Sequence, residues 1–173
     1  LKPDSRIFNL AITNGDDRNW IANPFISRLA RSGLKVETVV LDERSTEQEV
    51  QKAIERAKAA ELVFASLYGR VRSGQVSSVG IPETGARALS SLIDAKTPVV
   101  GISFGNPYLL QSFPGLRTYI VAYGDMPSLQ HAVARALMGE IDITGKLPIS
   151  LPGRTAKRRK KASEPSGESI ATI

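Results

Sequence analysis

Apolar residues in this chain gather in five short runs, separated by longer stretches where they recur every three or four positions. Arg6–Thr13 (RIFNLAIT), Val36–Asp42 (VETVVLD), Leu62–Tyr68 (LVFASLY), Pro98–Gly105 (PVVGISFG) and Thr118–Gly124 (TYIVAYG) are rich in β-branched and aromatic residues and predict strands. The stretches between them predict helices. Over 45–60, Thr46-x-x-Glu49 forms a capping box, and Val50, Ala53, Ile54 and Ala57 make a stripe at helical spacing. Pro82 opens a helix carrying Leu89, Leu92 and Ile93. Asp125 and Pro127 open another, with Leu129, Val133, Ala136 and Leu137 inward and Gly139 as its stop. Residues 20–32 and a short segment 107–113 complete the set.

Strand and helix alternate with short connections, which predicts a parallel sheet with helices on both faces. Right-handed crossovers leave few topologies, and a flavodoxin-like order with the first strand between the second and third fits best. The expected fold is therefore an α/β three-layer sandwich with a mostly parallel sheet. After the last helix comes ITGKLPISLPG, residues 143–153. Its two prolines cannot donate to a ladder, so it is expected as a closing edge strand, in either direction.

Composition sharpens this picture. The 173 residues are enough to bury roughly 70% of the unfolded surface without a staple. The absence of cysteine excludes thiol chemistry and Cys-type zinc sites, and a single histidine argues against an imidazole metal site. No apolar run approaches the length of a membrane span, and nothing at the start resembles a signal peptide. The sequence begins at Leu1 without methionine and reads as a segment of a longer protein. The net charge of +6 is unevenly spread. Residues 154–173 hold six Lys/Arg and two Glu, leaving 17 basic and 15 acidic residues in 1–153. The expected division is thus a nearly neutral domain, 1–153, and a basic Ser/Gly/Pro/Lys tail, 154–173, with the composition of a flexible segment. Nucleic acid is a poor fit for such a body.

In an open α/β sheet, ligands bind beyond the carboxyl ends of the strands. Those ends carry Asn14-Gly15-Asp16-Asp17, Asp42-Glu43, Tyr68 to Gly80, Gly105-Asn106-Pro107 and Gly124-Asp125. Two carboxylates in the first loop would repel a phosphate. Gly69-x-x-x-x-Gly74 has P-loop glycine spacing, but Gln75-Val76 stands where Lys-Ser/Thr is required. Gly101-Ile-Ser103-Phe-Gly105 satisfies G-x-S-x-G, and Asp125 and His131 follow in the order of a serine-hydrolase triad. His131, however, lies two residues from both Leu129 and Val133, about 200° around the helix from each. That position faces solvent, so Ser103 is a weak nucleophile candidate. The loop after the third strand, GRVRSGQVSSVG (69–80), is long for a βα connection and holds Arg70 and Arg72 but no carboxylate.

The order of these features resembles the C-terminal α/β-sandwich domain of glycoside hydrolase family 3. The resemblance rests on ETVVLD, LVFASLYGRV, IPETGARALSSLI, PVVGISFGNPYLLQSFPGLRTYIVAYGDMPSLQHAVARALMGE and ITGKLPISLPG, covering most of residues 34–153. It implies an upstream (β/α)8-type catalytic barrel in the same chain, with the Asp nucleophile in that barrel. In β-glucosidase-type members the acid/base Glu sits on the loop matching 69–80, where this sequence has none. Glu83 lies nearby, but at a helix start, where the helix dipole accounts for it. The departure points to the β-N-acetylhexosaminidase-type branch, whose acid/base is a His–Asp pair on a barrel loop, and the resemblance implies N-acetylglucosaminides such as peptidoglycan fragments as substrates. The resemblance therefore assigns no catalytic residue, metal or cofactor to this segment. Asp16, Asp17, Arg70, Arg72 and Asn106 become candidates for a rim facing the barrel or, indirectly, a carbohydrate substrate. It leaves the compartment open between bacterial cytoplasm and cell envelope or export. The alternatives are a stand-alone small-ligand-binding α/β module and a serine hydrolase using Ser103.

Overall fold

The computed structural model describes residue 1 and residues 4–71, 80–145 and 169–172. The chain runs β1 (Ile7–Thr13), α1 (Asn23–Arg31), β2 (Val36–Leu41), α2 (Glu47–Lys58), β3 (Leu62–Tyr68), α3 (Glu83–Asp94) and β4 (Val99–Ser103). A short 3₁₀ helix (Pro107–Ser112), β5 (Thr118–Val121), α4 (Pro127–Leu137) and β6 (Ser169–Thr172) follow. The strands form a sheet in the order β2-β1-β3-β4-β5-β6, and every pairing is parallel. This is the expected α/β three-layer sandwich with flavodoxin-like order, and its topological switch lies between β1 and β3.

Alternation along each central strand feeds two cores. Phe8, Leu10 and Ile12 of β1 and Val63, Ala65 and Leu67 of β3 face α2, α3 and the 3₁₀ helix. Ala11, Phe64 and Ile102 face α1 and α4, where Phe25 makes edge contacts with Phe64 and Phe104. All seven positions of β1 are buried, as a central parallel strand covered on both faces requires. α2 starts on the predicted box: the Glu49 amide donates to Thr46 Oγ1 (3.3 Å) and the Thr46 amide to Glu49 Oε2 (2.8 Å). Gly85 lets α3 sit against the sheet, since a Cβ there would lie 2.3 Å from Ile12 Cγ2.

The edge beyond β5 differs from the expectation. The strand pairing with β5 is Ser169–Thr172, drawn from the segment assigned to a tail, and it runs parallel. Ser-Ile-Ala-Thr has β-branched residues, no charge and no proline, so it can complete a ladder. The lysine- and arginine-rich composition of the whole 20-residue segment masks those four positions in the sequence. Of ITGKLPISLPG, Ile143 to Gly145 are described, and Gly145 forms an antiparallel bridge to Thr172. Residues 146–153, including both prolines, and the tail residues 154–168 lie outside the described residues.

Candidate functional site at the carboxyl edge

Because all strands are parallel, every βα connection emerges at one end of the sheet. The β1–α1 connection is built around Thr13 and Asp17. Thr13 Oγ1 donates to Asp17 Oδ1 (3.1 Å) and accepts the Gly15 amide (3.0 Å). This turns the buried Asp17 carboxylate toward β3. There it meets Arg70, whose Nη2 lies 2.5 Å from Asp17 Oδ2 and whose Nε and Nη2 both reach Asp125 after β5. Arg70 therefore reaches across the end of β4 to Asp125, 55 residues on in sequence, while also holding Asp17 on the β1–α1 connection. Burial works against its charge, but the two carboxylates more than offset that and hold it as a cation.

Asn14 fixes the place where the long loop leaves and returns. Its carboxamide accepts the Arg70 amide (3.1 Å) and donates to the carbonyls of Arg70 (2.8 Å) and Gly80 (3.2 Å). One side chain thus ties both ends of the 70–80 connection. Gly105 allows a close approach beside it, because a Cβ there would lie 2.3 Å from the Gly69 carbonyl oxygen. The Asn106 amide then donates to that same oxygen (3.2 Å).

Below this layer a buried polar chain links α1 and α4. The Tyr68 hydroxyl donates to Gln130 Oε1 (3.2 Å), which also accepts the Phe25 amide near the start of α1 (3.2 Å). Gln130 Nε2 donates to the Asp125 carbonyl (2.7 Å). Burial, and then the nearby Asp125 charge, push the Tyr68 phenol up, so it stays a neutral donor. A second charged group closes the far side. Asp42, at the end of β2, receives Arg44 (Nη2 2.6 Å) and Arg18 (Nη1 3.3 Å), and Arg18 also pairs with Glu49 (2.8 Å). Burial opposes the Asp42 charge, yet the Arg44 hydrogen bonds and the field of Arg18 outweigh it and hold the carboxyl below its ordinary value.

Of the rim candidates, Asp17 and Arg70 are brought into direct contact. Asp16 lies exposed beside them, and its charge acts on Arg44. Asn106 caps the 3₁₀ helix, its side chain accepting the Tyr108 amide (3.0 Å). Arg72 lies outside the described residues. The G-x-S-x-G serine is not arranged as a nucleophile: Ser103 is buried and donates to the Asn106 carbonyl (2.9 Å), and Asp125 is held by Arg70. His131 is half-buried on α4, whose fully buried positions are Gln130, Val133 and Ala134. Sequence reasoning missed the roles of Asn14, Arg18 and Gln130. The available signal was an arginine opening a loop that emerges between two carboxylate-bearing strand ends. Among the described residues, no group of three or more acidic or histidine side chains could hold a metal ion, and no helix is long and apolar enough to cross a membrane.

No protein-family model and no curated protein matches this chain. Solved structures do. A glycoside hydrolase family 3 β-N-acetylglucosaminidase from Paenibacillus sp. str. FPU-7 superposes with a TM-score of 0.70 at 20% identity, over 90% of this chain and 29% of its own. The fold is one found in family 3 glycoside hydrolases. A fungal multi-domain β-N-acetylglucosaminidase of the same family matches at 0.67 and 22% identity, over 88% of this chain and 16% of its own. The β-glucoside phosphorylase BglX matches at 0.66 and 25% identity, over 87% and 27%. The chain thus spans less than a third of each of these proteins and corresponds to a domain-sized part of them.

Proposed function

We propose that this chain is an accessory α/β domain of a family 3 glycoside hydrolase of β-N-acetylglucosaminidase type, packed on a (β/α)8-type catalytic barrel in the same polypeptide. The observation that carries this reading is the superposition of 90% of the chain on 29% of a family 3 β-N-acetylglucosaminidase. Retaining glycoside hydrolysis needs two carboxyl-type groups flanking one bond. Here Asp17 and Asp125 are both engaged by Arg70, and the 69–80 connection has no carboxylate in its sequence. The domain's contribution is then structural: it presents a pre-formed edge to the barrel and shapes the rim of a site whose chemistry the barrel supplies. Asp16, Arg72 and Asn106 belong to that rim in this reading.

The test compares the full-length polypeptide with the 173-residue chain on aryl N-acetylglucosaminides. The expected result is turnover by the former only. Turnover by the 173-residue chain, abolished by substituting a residue within it, would falsify the reading, as would a full-length polypeptide with no barrel.

A further inference from the structure

Asn9 lies in the middle of β1 and is fully buried. Its neighbours on the same face of the strand, Ile7 and Ala11, belong to the core under α1 and α4. A carboxamide brings two donor protons and an acceptor oxygen into that layer, and each costs free energy if it goes unmatched. The Asn9 Oδ1 accepts the Ser66 hydroxyl from β3 (2.6 Å). The Asn9 Nδ2 has no hydrogen-bond partner among the described residues. Turning the carboxamide over would only exchange the orphan, leaving the oxygen unmatched in place of the nitrogen. One strand away, the register partner of Asn9 is Thr38 on β2. Its Oγ1 is likewise buried and without a partner among the described residues. The two orphans thus stand at one level, on adjacent strands and on one face. The third such atom, the Tyr119 hydroxyl, belongs to the opposite core.

The spacing of the strands says what can stand between them. Adjacent strands lie about 4.7–4.9 Å apart, too far for one hydrogen bond of about 2.9 Å. Two such bonds meeting at one oxygen at a tetrahedral angle span about 4.7 Å. The surrounding chain supplies no such oxygen. Ile7 and Ala11 on β1, Val36 and Val40 on β2, and Phe25 and Leu29 of α1 are all apolar. The backbone groups between β1 and β2 are spent on their own ladder. The setting therefore suits one small molecule that both donates and accepts.

We propose that Asn9 and Thr38 hold a single internal water between β1 and β2, beneath α1. The Asn9 Nδ2 donates to the water oxygen, and the Thr38 hydroxyl makes the second bond, giving the water the two polar partners it needs. The site also pins the register of β2, which is an edge strand with a neighbour on one side only. A two-residue slip keeps the same face inward but sets Val36 or Val40 opposite Asn9, and the carboxamide then loses its bridge. Farther along β3 on this face, Tyr68 donates to Gln130, which reaches the Asp125 carbonyl. With the water in place, a line of matched polar groups runs from the β2 edge toward the Asp125 loop through an otherwise apolar layer.

The test is a crystal structure of the full-length polypeptide at a resolution where ordered water is visible, with Thr38→Val and Thr38→Ser beside the wild type. The expected wild-type result is one water oxygen about 2.7–3.2 Å from both Asn9 Nδ2 and Thr38 Oγ1. Thr38→Val keeps the shape of the side chain but removes the hydroxyl, and the water should be lost. Thr38→Ser keeps the hydroxyl and should keep the water. A direct bond between Asn9 and Thr38 in the wild type overturns the proposal, as does a site with no density between them. So does a water that touches only one of the two, or one that persists in Thr38→Val. Where Thr38→Val does not fold, the wild-type and Thr38→Ser structures decide on the same distances. None of these outcomes depends on whether the polypeptide carries a barrel, so the accessory-domain reading is tested separately.

Discussion

Arg70, the second residue beyond β3, grips Asp125, on the loop that opens α4, across the end of the intervening strand β4. With Asp17 on its other side, this guanidinium joins the connections after β1, β3 and β5. Removing it by Arg70→Ala takes the guanidinium from Asp17, only 8% exposed, while the Thr13 hydroxyl still donates to it. Because Arg70 is itself about a third exposed, the full cost of a broken buried pair is discounted to about 1–3 kcal/mol. For a chain of this length that is a fall in melting temperature of roughly 3–10 °C. Arg70→Lys should recover only part of it, since an ammonium cannot serve two carboxylates with a planar fork. A change under about 1 °C for Arg70→Ala would show that the clamp contributes nothing measurable.

Ser103→Ala should leave the turnover of the full-length protein near wild type. The hydroxyl is buried and spends its proton on the Asn106 carbonyl, so its loss costs about 1 kcal/mol of stability and no chemistry. A fall of about 10³-fold in turnover with the fold intact would instead mark a nucleophile. Ester hydrolysis by the 173-residue chain is the companion measurement.

Gly105 and Gly80 stand at the neck of the same connection yet should respond oppositely. A Cβ at 105 meets the backbone oxygen of Gly69 at 2.3 Å, and backbone at the end of a central strand cannot move aside. Gly105→Ala is expected to cost about 2–4 kcal/mol, or to prevent folding. A Cβ added at Gly80 meets nothing within 4 Å among the described residues, so Gly80→Ala should be neutral or stabilising by up to about 1 kcal/mol through the unfolded chain. Chemical denaturation of both variants decides this, and equal losses would mean the close approach of 69 and 105 is not a constraint.

What the sequence made legible follows from what each signal depends on. The capping box at Thr46 and Glu49, the buried stripe of α2 and the five central strands depend on local periodicity, and they are found where the pattern predicts them. The rule that ligands and charged loops gather at the carboxyl ends depends only on parallel order, so it correctly located Asp17, Arg70 and Asp125 at one edge. It could not say that they neutralise one another, because that depends on a side chain reaching over β4. The carboxamide of Asn14 is a similar case: its three backbone partners lie more than fifty residues away, and no local pattern announces them. β6 escaped for the opposite reason. Its four residues are locally strand-like, but they follow a segment whose average composition argues for a tail.

Acid should act on the β2 end of the edge through Asp42. Its folded carboxyl lies below the ordinary value of 3.8, because the Arg44 and Arg18 contacts outweigh burial. A depressed carboxyl contributes stability that is fully present above the unfolded value and is lost as pH falls through the folded one. The wild-type melting temperature should therefore fall as pH drops from about 5 toward 2, and Asp42→Asn should fall less steeply over that window while starting lower at pH 7. Identical slopes for the two proteins would remove Asp42 from the acid response.

The edge strand gives the sharpest contrast between composition and structure. If residues 154–173 were all tail, ending the chain at Glu168 would change little, since a polar segment buries little apolar area. β6 instead pairs with β5 from Thr118↔Ser169 through Val121↔Thr172, and Thr172 is buried with its carbonyl against Gly145. A parallel ladder of this length at roughly 0.5–1.5 kcal/mol per hydrogen bond contributes about 2–4 kcal/mol. Removing it exposes the unpaired edge of β5 next to Tyr119, Ile120 and Val121, all buried now. Such an edge invites pairing with another chain. Truncation after Glu168 is therefore expected to lower the melting temperature by roughly 5–15 °C and to promote association at high concentration, seen by light scattering. Truncation that melts within about 1 °C of the parent and stays monomeric would show that β5 needs no partner and that the basic segment is a tail to its last residue.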